Sequence, residues 1–308
     1  MMGDICRVLY TDIEVDRFVE GVLNICQKEQ KREAINAITA AERNIVSYPQ
    51  YTTWLHRDNR DFEWREDEKR KELRMQIVEE LYTLKRLDND DNIELGKGGA
   101  APQTPPRKER KAIYLIGPPA SGKSTIASKI ADMYGAYIID SDYAKRKLPE
   151  YNNQIGGASL VHDESSHLVF DTNLDSLLSR CLEEGNNIIV PKIGDTIESI
   201  TRFANDMISI GYSIYLISVD LDRQKATQRA YYRYKDTSRY VPLSLIFDKF
   251  SNQPTLNYFK VKQKYKTLFA GFAQISTDVP KGKSPNIIEI ENMNEINNIE
   301  WSCSYAQI

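Results

Sequence analysis

Eight consecutive residues, Gly117-Pro118-Pro119-Ala120-Ser121-Gly122-Lys123-Ser124, followed by Thr125, fit the pattern G-x-x-x-x-G-K-[ST]. Glycines in such a loop let backbone amides close on an anion, and a helix starting at its end adds a positive dipole terminus. The lysine reaches the outer phosphates of a nucleotide, and the hydroxyl after it ligates Mg²⁺. Gly117, Pro118, Ala120, Ser121, Gly122, Lys123, Ser124 and Thr125 are therefore expected around a polyphosphate, with Ser124 on the metal. Further on stands Asp140-Ser141-Asp142. Of two such carboxylates, one can take a proton from a hydroxyl while the other helps to hold Mg²⁺; Asp140 or Ser141 as a simple helix cap is the competing reading. A third group is Arg229, Arg233 and Arg239. The first two are four apart, hence on one helix face. Arginine forks suit the charge that develops on a transferring phosphoryl group, whereas taken alone they read equally well as a solvated basic face.

The phosphate loop follows a strand-like run, 112–116, and opens a helical stretch, 122–134. Further β-rich runs at 136–139, 187–190 and 213–217 alternate with helical stretches at 163–184, 196–210 and 222–235; 272–275 and 287–290 could add edge strands. Apolar runs without alternation belong to strands covered on both faces, and strand–helix alternation predicts a parallel sheet. The expected class is α/β, a P-loop kinase fold with a mostly parallel sheet flanked by helices. In such sheets the carboxyl ends of strands converge on the ligand, which would bring the acidic pair to the phosphate loop.

Ahead of the sheet the sequence is helical. Thr11-Asp12-Ile13-Glu14 fits a capping box; amphipathic helices follow at 31–46, stopped by Tyr48-Pro49, and at 62–87. Residues 88–111, rich in Asp, Asn, Gly and Pro, have the composition of a flexible linker. Three parts are thus expected: a small helical bundle at 1–87, a linker at 88–111 and a kinase domain at 112–308.

Forty-one basic and 44 acidic residues leave a net charge of −3, so no global basic field is present for nucleic acid. No apolar run approaches the ~20 residues of a membrane helix, and the first residues carry acids where a signal peptide carries bases. Four cysteines, Cys6, Cys26, Cys181 and Cys303, stand far apart, which favours a reducing cytoplasm over a disulfide framework. His162 and His167, five apart, point in different directions on a helix and cannot chelate from one face. Tyr231, Tyr232, Tyr234 and Tyr240 read either as base-stacking groups or as packing around the arginines.

GPPASGKST, IIDSDYAKRKLPEY, VHDESS at 161–166 and RAYYRYKDTSRYVP together resemble the zeta toxin family of P-loop kinases over about 112–260. The resemblance implies an ATP- and Mg²⁺-dependent kinase that phosphorylates a hydroxyl of a small metabolite, UDP-N-acetylglucosamine in the best understood members. It implies Asp142 as general base, Asp175 on the substrate side, and Arg229 or Arg233 with Arg239 as lid arginines; Asp140, the other acid of the pair, is expected at the metal or the substrate, and Glu164 of the VHDESS segment on the substrate side. It also implies that residues 1–87 inhibit in cis as an antitoxin does, with docking or dimerisation as the plainer alternative. The family's third strand ends in an acid followed by Gly-Thr, where this chain reads Val190-Pro191-Lys192. Lys192 reverses that charge and favours an acceptor carrying another phosphate or carboxylate. A polynucleotide or nucleotide kinase and a non-catalytic nucleotide-sensing module are the remaining alternatives.

Overall fold

In a computed structural model, residues 6–7, 9–46, 52–152, 157–280 and 283–301 are described below. In chain order the helices α1 (Asp12–Gly21), α2 (Lys28–Val46) and α3 (Asp67–Thr83) precede β1 (Lys111–Ile116) and α4 (Lys123–Tyr134). Next come β2 (Tyr137–Ile138), α5 (Ser141–Lys147), α6 (Gly157–Leu160), α7 (His162–Phe170) and α8 (Leu177–Glu184). They are followed by β3 (Ile188–Lys192), α9 (Ile197–Ser209), β4 (Ser213–Asp220) and α10 (Arg223–Thr237). A π-helical segment, Leu245–Phe250, leads to α11 (Gln253–Lys264), β5 (Gly271–Ser276) and β6 (Asn286–Glu291).

The strands form one sheet in the order β2-β3-β1-β4-β5-β6. Pairing is parallel from β2 to β5, and β6 closes the edge antiparallel to β5. The α/β class expected from the alternation is what the chain adopts. Ala112 to Ile116 of β1 are all buried, as a central strand covered by helices on both faces requires. β1 lies between β3 and β4, where the strand order reverses, so the loop after it faces the crevice in which such sheets bind ligands.

Local chemistry sets several boundaries differently from the periodicity. The helical stretch expected over 163–184 is two helices: α7 stops before an extended Asp171, and Ser176 restarts the chain with a capping box to Ser179. Thr11 precedes α1 but makes no side-chain cap, so the expected box at 11–14 does not form. Tyr48-Pro49 lies outside the described residues.

The N-terminal helices do not gather into one bundle. Val15, Phe18, Val19, Ala34 and Ile38 of α1 and α2 share a cluster with Leu221, Ala226, Ala230, Tyr231, Leu243 and Ile246, so this hairpin packs on α10 and the π-helical segment. Leu73, Ile77, Val78 and Leu81 of α3 belong instead to the main core with the strands. Part of the stretch 88–111 is packed as well, at Ile93 and residues 98–102, where small residues permit close approach, while residues 103–110 are exposed. Ile93, Ala100 and Ala101 are buried in the main core, and the amide of Ile138 donates to Ala100 O at 3.1 Å. At Gly99 a side chain has no room: a Cβ would lie 2.1 Å from the carbonyl oxygen of Leu84.

Candidate functional site

The turn after β1 is built for an anion. Gly122, at φ +84°, takes a left-handed conformation that favours glycine and starts α4 directly behind the loop. Ser121 is buried, and its Oγ has no hydrogen-bond partner among the described residues. Lys123 Nζ donates to the carbonyls of Gly117 and Pro118, both at 2.7 Å. Burial drives its pKa down to about 7, and Arg233 pushes the same way against Asp140 and Asp142. An unpartnered buried hydroxyl, a curled lysine and a helix N-terminus at one place fit a polyphosphate. The exposed Ser124 lies in the first turn of the same helix.

Asp140 caps α5, its Oδ1 accepting from the amide of Asp142 at 2.9 Å, so the capping reading holds for one of its oxygens. Burial and the charge of Asp142 raise its pKa. Asp142 moves the other way: burial acts to raise it, but Arg239, Lys145 and Arg146 hold it well below the ordinary carboxylate range. Lys145 Nζ lies 2.9 Å from its Oδ1, and Arg239 Nη2 donates to its Oδ2. Arg239 also approaches Asp91 at 3.5 Å, and Arg146 pairs with the same Asp91 at 3.0 Å. Arg233, on α10, keeps a buried Nε without a hydrogen-bond partner, and burial together with Arg239 lowers its pKa to about 10. Mg²⁺ retains most of its water and needs few protein oxygens; Ser124 with Asp140 would suffice, since Asp140 lies close enough to the loop to act on the charge of Lys123.

Arg229 lies on the opposite flank of the loop. Its Nη2 donates to Thr277 O at 2.8 Å, and Thr277 Oγ1 donates to Ser121 O at 2.7 Å. Thr277 follows β5 and is aligned by its amide, which donates to Asp220 O at the end of β4. Lys192 ends β3 beside Ile116, one residue before the phosphate loop. Its ammonium sits 3.6 Å from the centroid of the Phe170 ring and has no carboxylate partner within ion-pair distance among the described residues.

Two expected substrate contacts are committed elsewhere. Glu164 is fully buried; it accepts from Arg70 Nη2 and Arg74 Nε, both at 2.7 Å, and from Thr53 Oγ1 at 2.5 Å. Burial acts to raise its pKa, yet these partners bring it down to about 2. Asp175 sits in the loop ahead of α8 rather than on the helix, exposed and paired with Arg180 at 2.6 Å. The tyrosines pack around the arginine helix instead of facing the loop. Tyr231 is in the hairpin cluster, Tyr234 Oη donates to Ala37 O, and Tyr240 Oη donates to Glu42. Sequence reasoning missed Asp91 and Thr277. Asp91 stands in the acidic run Asp88-Asn89-Asp90-Asp91-Asn92, visible only as turn formers, while Thr277 belongs to no motif.

The family model for Zeta toxin matches residues 98–268 of this chain. No curated protein matches it. Among solved structures, the PezAT chromosomal toxin–antitoxin system of Streptococcus pneumoniae aligns with 16% identity over 73% of this chain and 81% of that one, with a TM-score of 0.49. The native AvrRxo1-ORF1:-ORF2 complex aligns with 16% identity over 82% and 77%, with a TM-score of 0.47. A putative kinase from Chloroflexus aurantiacus aligns with 16% identity over 48% and 79%, with a TM-score of 0.34.

Proposed function

Because this chain belongs to the zeta toxin family, we propose that it is an ATP-dependent, Mg²⁺-requiring kinase that phosphorylates a hydroxyl of a small metabolite in the cytoplasm. The observation that carries the reading is the convergence of Lys123, Arg233, Arg239 and Asp142 at the carboxyl ends of β1 and β2. The loop amides and Lys123 would hold the phosphates, with Ser124 and Asp140 at the metal, which when bound neutralises phosphate charge. Asp142 would take the proton of the acceptor hydroxyl. Both its oxygens are engaged by Lys145 and Arg239, so Arg239 must move to the phosphates before Oδ2 can act as a base. One movement would then supply a cation to the transferring group and free the base.

Lys192 in place of the family's acid supports an acceptor that itself carries an anionic group, rather than a neutral sugar. The N-terminal hairpin supports regulation in cis. It grips α10, and its cluster laps against Ala120 of the phosphate loop.

The test separates binding from turnover. Lys123→Ala should abolish ATP binding, whereas Asp142→Asn should bind ATP like the parent protein and lose about 10²–10⁴-fold in kcat. Parent-level turnover of Asp142→Asn across a metabolite panel would remove the base assignment.

A further inference from the structure

Between α8 and α9, over the face of the sheet formed by β1 and β3, lies a cleft of about 930 Å³. Its floor is Tyr114 and Val190, its walls are Leu178 and Leu182 on one side and Phe203 and Met207 on the other. Tyr114 and Val190 are directly paired across the strands, and the ring of Tyr114 stacks on Phe203 at 4.6 Å. The two helices therefore hold a largely apolar trough open above the sheet. The volume falls in the range of small-molecule pockets, which are mostly apolar with a few placed polar groups.

At one end, the mouth formed by the last residue of β3 and the turn after it, Lys192 and Asp195 line the opening, while Ser199, Arg202, Asp206 and Ser209 add polar groups along the α9 wall. Lys192 is the group that asks for a ligand. Its ammonium rests on the Phe170 ring and donates to no oxygen among the described residues. Burial lowers its pKa, and Asp140 and Asp142 oppose that without forming an ion pair with it. The mouth of the trough thus opens beside the acidic pair and, through the pairing of Lys192 with Ile116, beside the phosphate loop.

We propose that this cleft binds the apolar body of the acceptor, and that the acceptor is an alcohol combining an apolar ring or chain with an anionic group that pairs with Lys192. The proposal rests on the kinase reading for the fate of the hydroxyl but not for the binding itself. With the body in the trough and the anion on Lys192, the hydroxyl is presented towards Asp142. The hydroxyl oxygen forms a bond to the γ-phosphorus of ATP, the bond from that phosphorus to the β,γ-bridging oxygen breaks, and the hydroxyl proton passes to Asp142. ADP leaves with the bridging electron pair. Ring stacking by Phe170 and Phe203 adds an aromatic preference at the mouth and the wall.

A suitable probe is 6-hydroxynaphthalene-2-sulfonate, which has an apolar double ring, an anion and a hydroxyl, and is fluorescent. Titrated against the full chain without ATP, it should bind saturably at one site. Lys192→Met, which keeps the side-chain length and removes the charge, should weaken binding about tenfold. Leu182→Trp, which fills the trough from a partly exposed position, should abolish it. Both variants should bind ATP as the parent does, which shows that they are folded. No saturable binding, or binding unaffected by both substitutions, would overturn the proposal. ³¹P NMR with ATP then reads the other question. A probe that binds as expected while only other alcohols are phosphorylated would leave the cleft as a binding site and remove its assignment to the acceptor; no phosphorylation of any alcohol in the metabolite panel would remove the kinase reading.

Discussion

Lys123 sits close to half-charged at neutral pH because burial strips water from its ammonium and offers only two carbonyls in return. Phosphates would favour the charged form, so the nucleotide complex should hold more protons than the free protein above pH 7. ATP affinity is then expected to fall as pH rises from about 7, by up to about tenfold per unit. Calorimetric titration at pH 8 in two buffers of different ionisation enthalpy measures the proton uptake directly; identical heats would contradict it. Asp91 offers a second test. It helps Asp142 to hold Arg239 in the nucleotide-free protein, from a half-exposed position where such a pair contributes little to stability. Asp91→Asn should leave the Tm nearly unchanged and lower the KM for ATP about two- to fivefold by releasing Arg239. The sequence made the phosphate loop plain because all its ligating groups are contiguous. Asp91 was invisible because its partners lie more than fifty residues away. Glu164, expected on the substrate side, is held by a guanidinium on α3 that lies 94 residues away in the chain, a pairing no local motif shows.

Along the elements, the tie between α3 and α7 is ionic at its centre. Arg70 is fully buried and bonds Glu150 and Glu164, which are buried too. Removing one partner strands the others without water, so Arg70→Ala should cost about 3–5 kcal/mol, measurable by denaturant unfolding. A loss under 1 kcal/mol would show that the carboxylates find other partners. The inner strands, unlike the partly exposed edge strand β6, were legible because burial on both faces writes an apolar run into them. The segment at 88–111 was not, since Gly99 and Ala100 have the composition of a tether and the use of a tight joint. Composition reports side-chain volume, and here small volume lets backbone meet backbone.

Among the described residues the protein has two apolar clusters, whose division differs from the expected cut at residue 87. A fragment of residues 105–308 would lose α3 and leave Leu73, Ile77 and Leu81 without replacement in the main core; it is expected to aggregate more readily than the full chain, which a sedimentation assay reads. Loosening the other cluster should act locally. Phe18 packs edge-on against Phe247 at 6.1 Å, and Phe18→Ala should cost the hairpin about 3–5 kcal/mol. Amide exchange should then quicken in α1, α2 and α10 while β1, β3 and β4 stay protected; uniform quickening would mean that the clusters unfold as one. The sequence foretold a helical N-terminal part and a sheet, but assigning α3 to the sheet needed contacts that no helix periodicity encodes.

The two sides of α10 belong to different parts of this arrangement. Ala226, Ala230 and Tyr231 face the hairpin, while Arg229 and Arg233 face the phosphate loop. Ligand binding that repositions the arginines must therefore be felt by α1 and α2, and thermodynamic linkage makes the exchange mutual. Whatever factor a nucleotide imposes on the grip of a molecule that holds α1, that molecule imposes on the grip of the nucleotide.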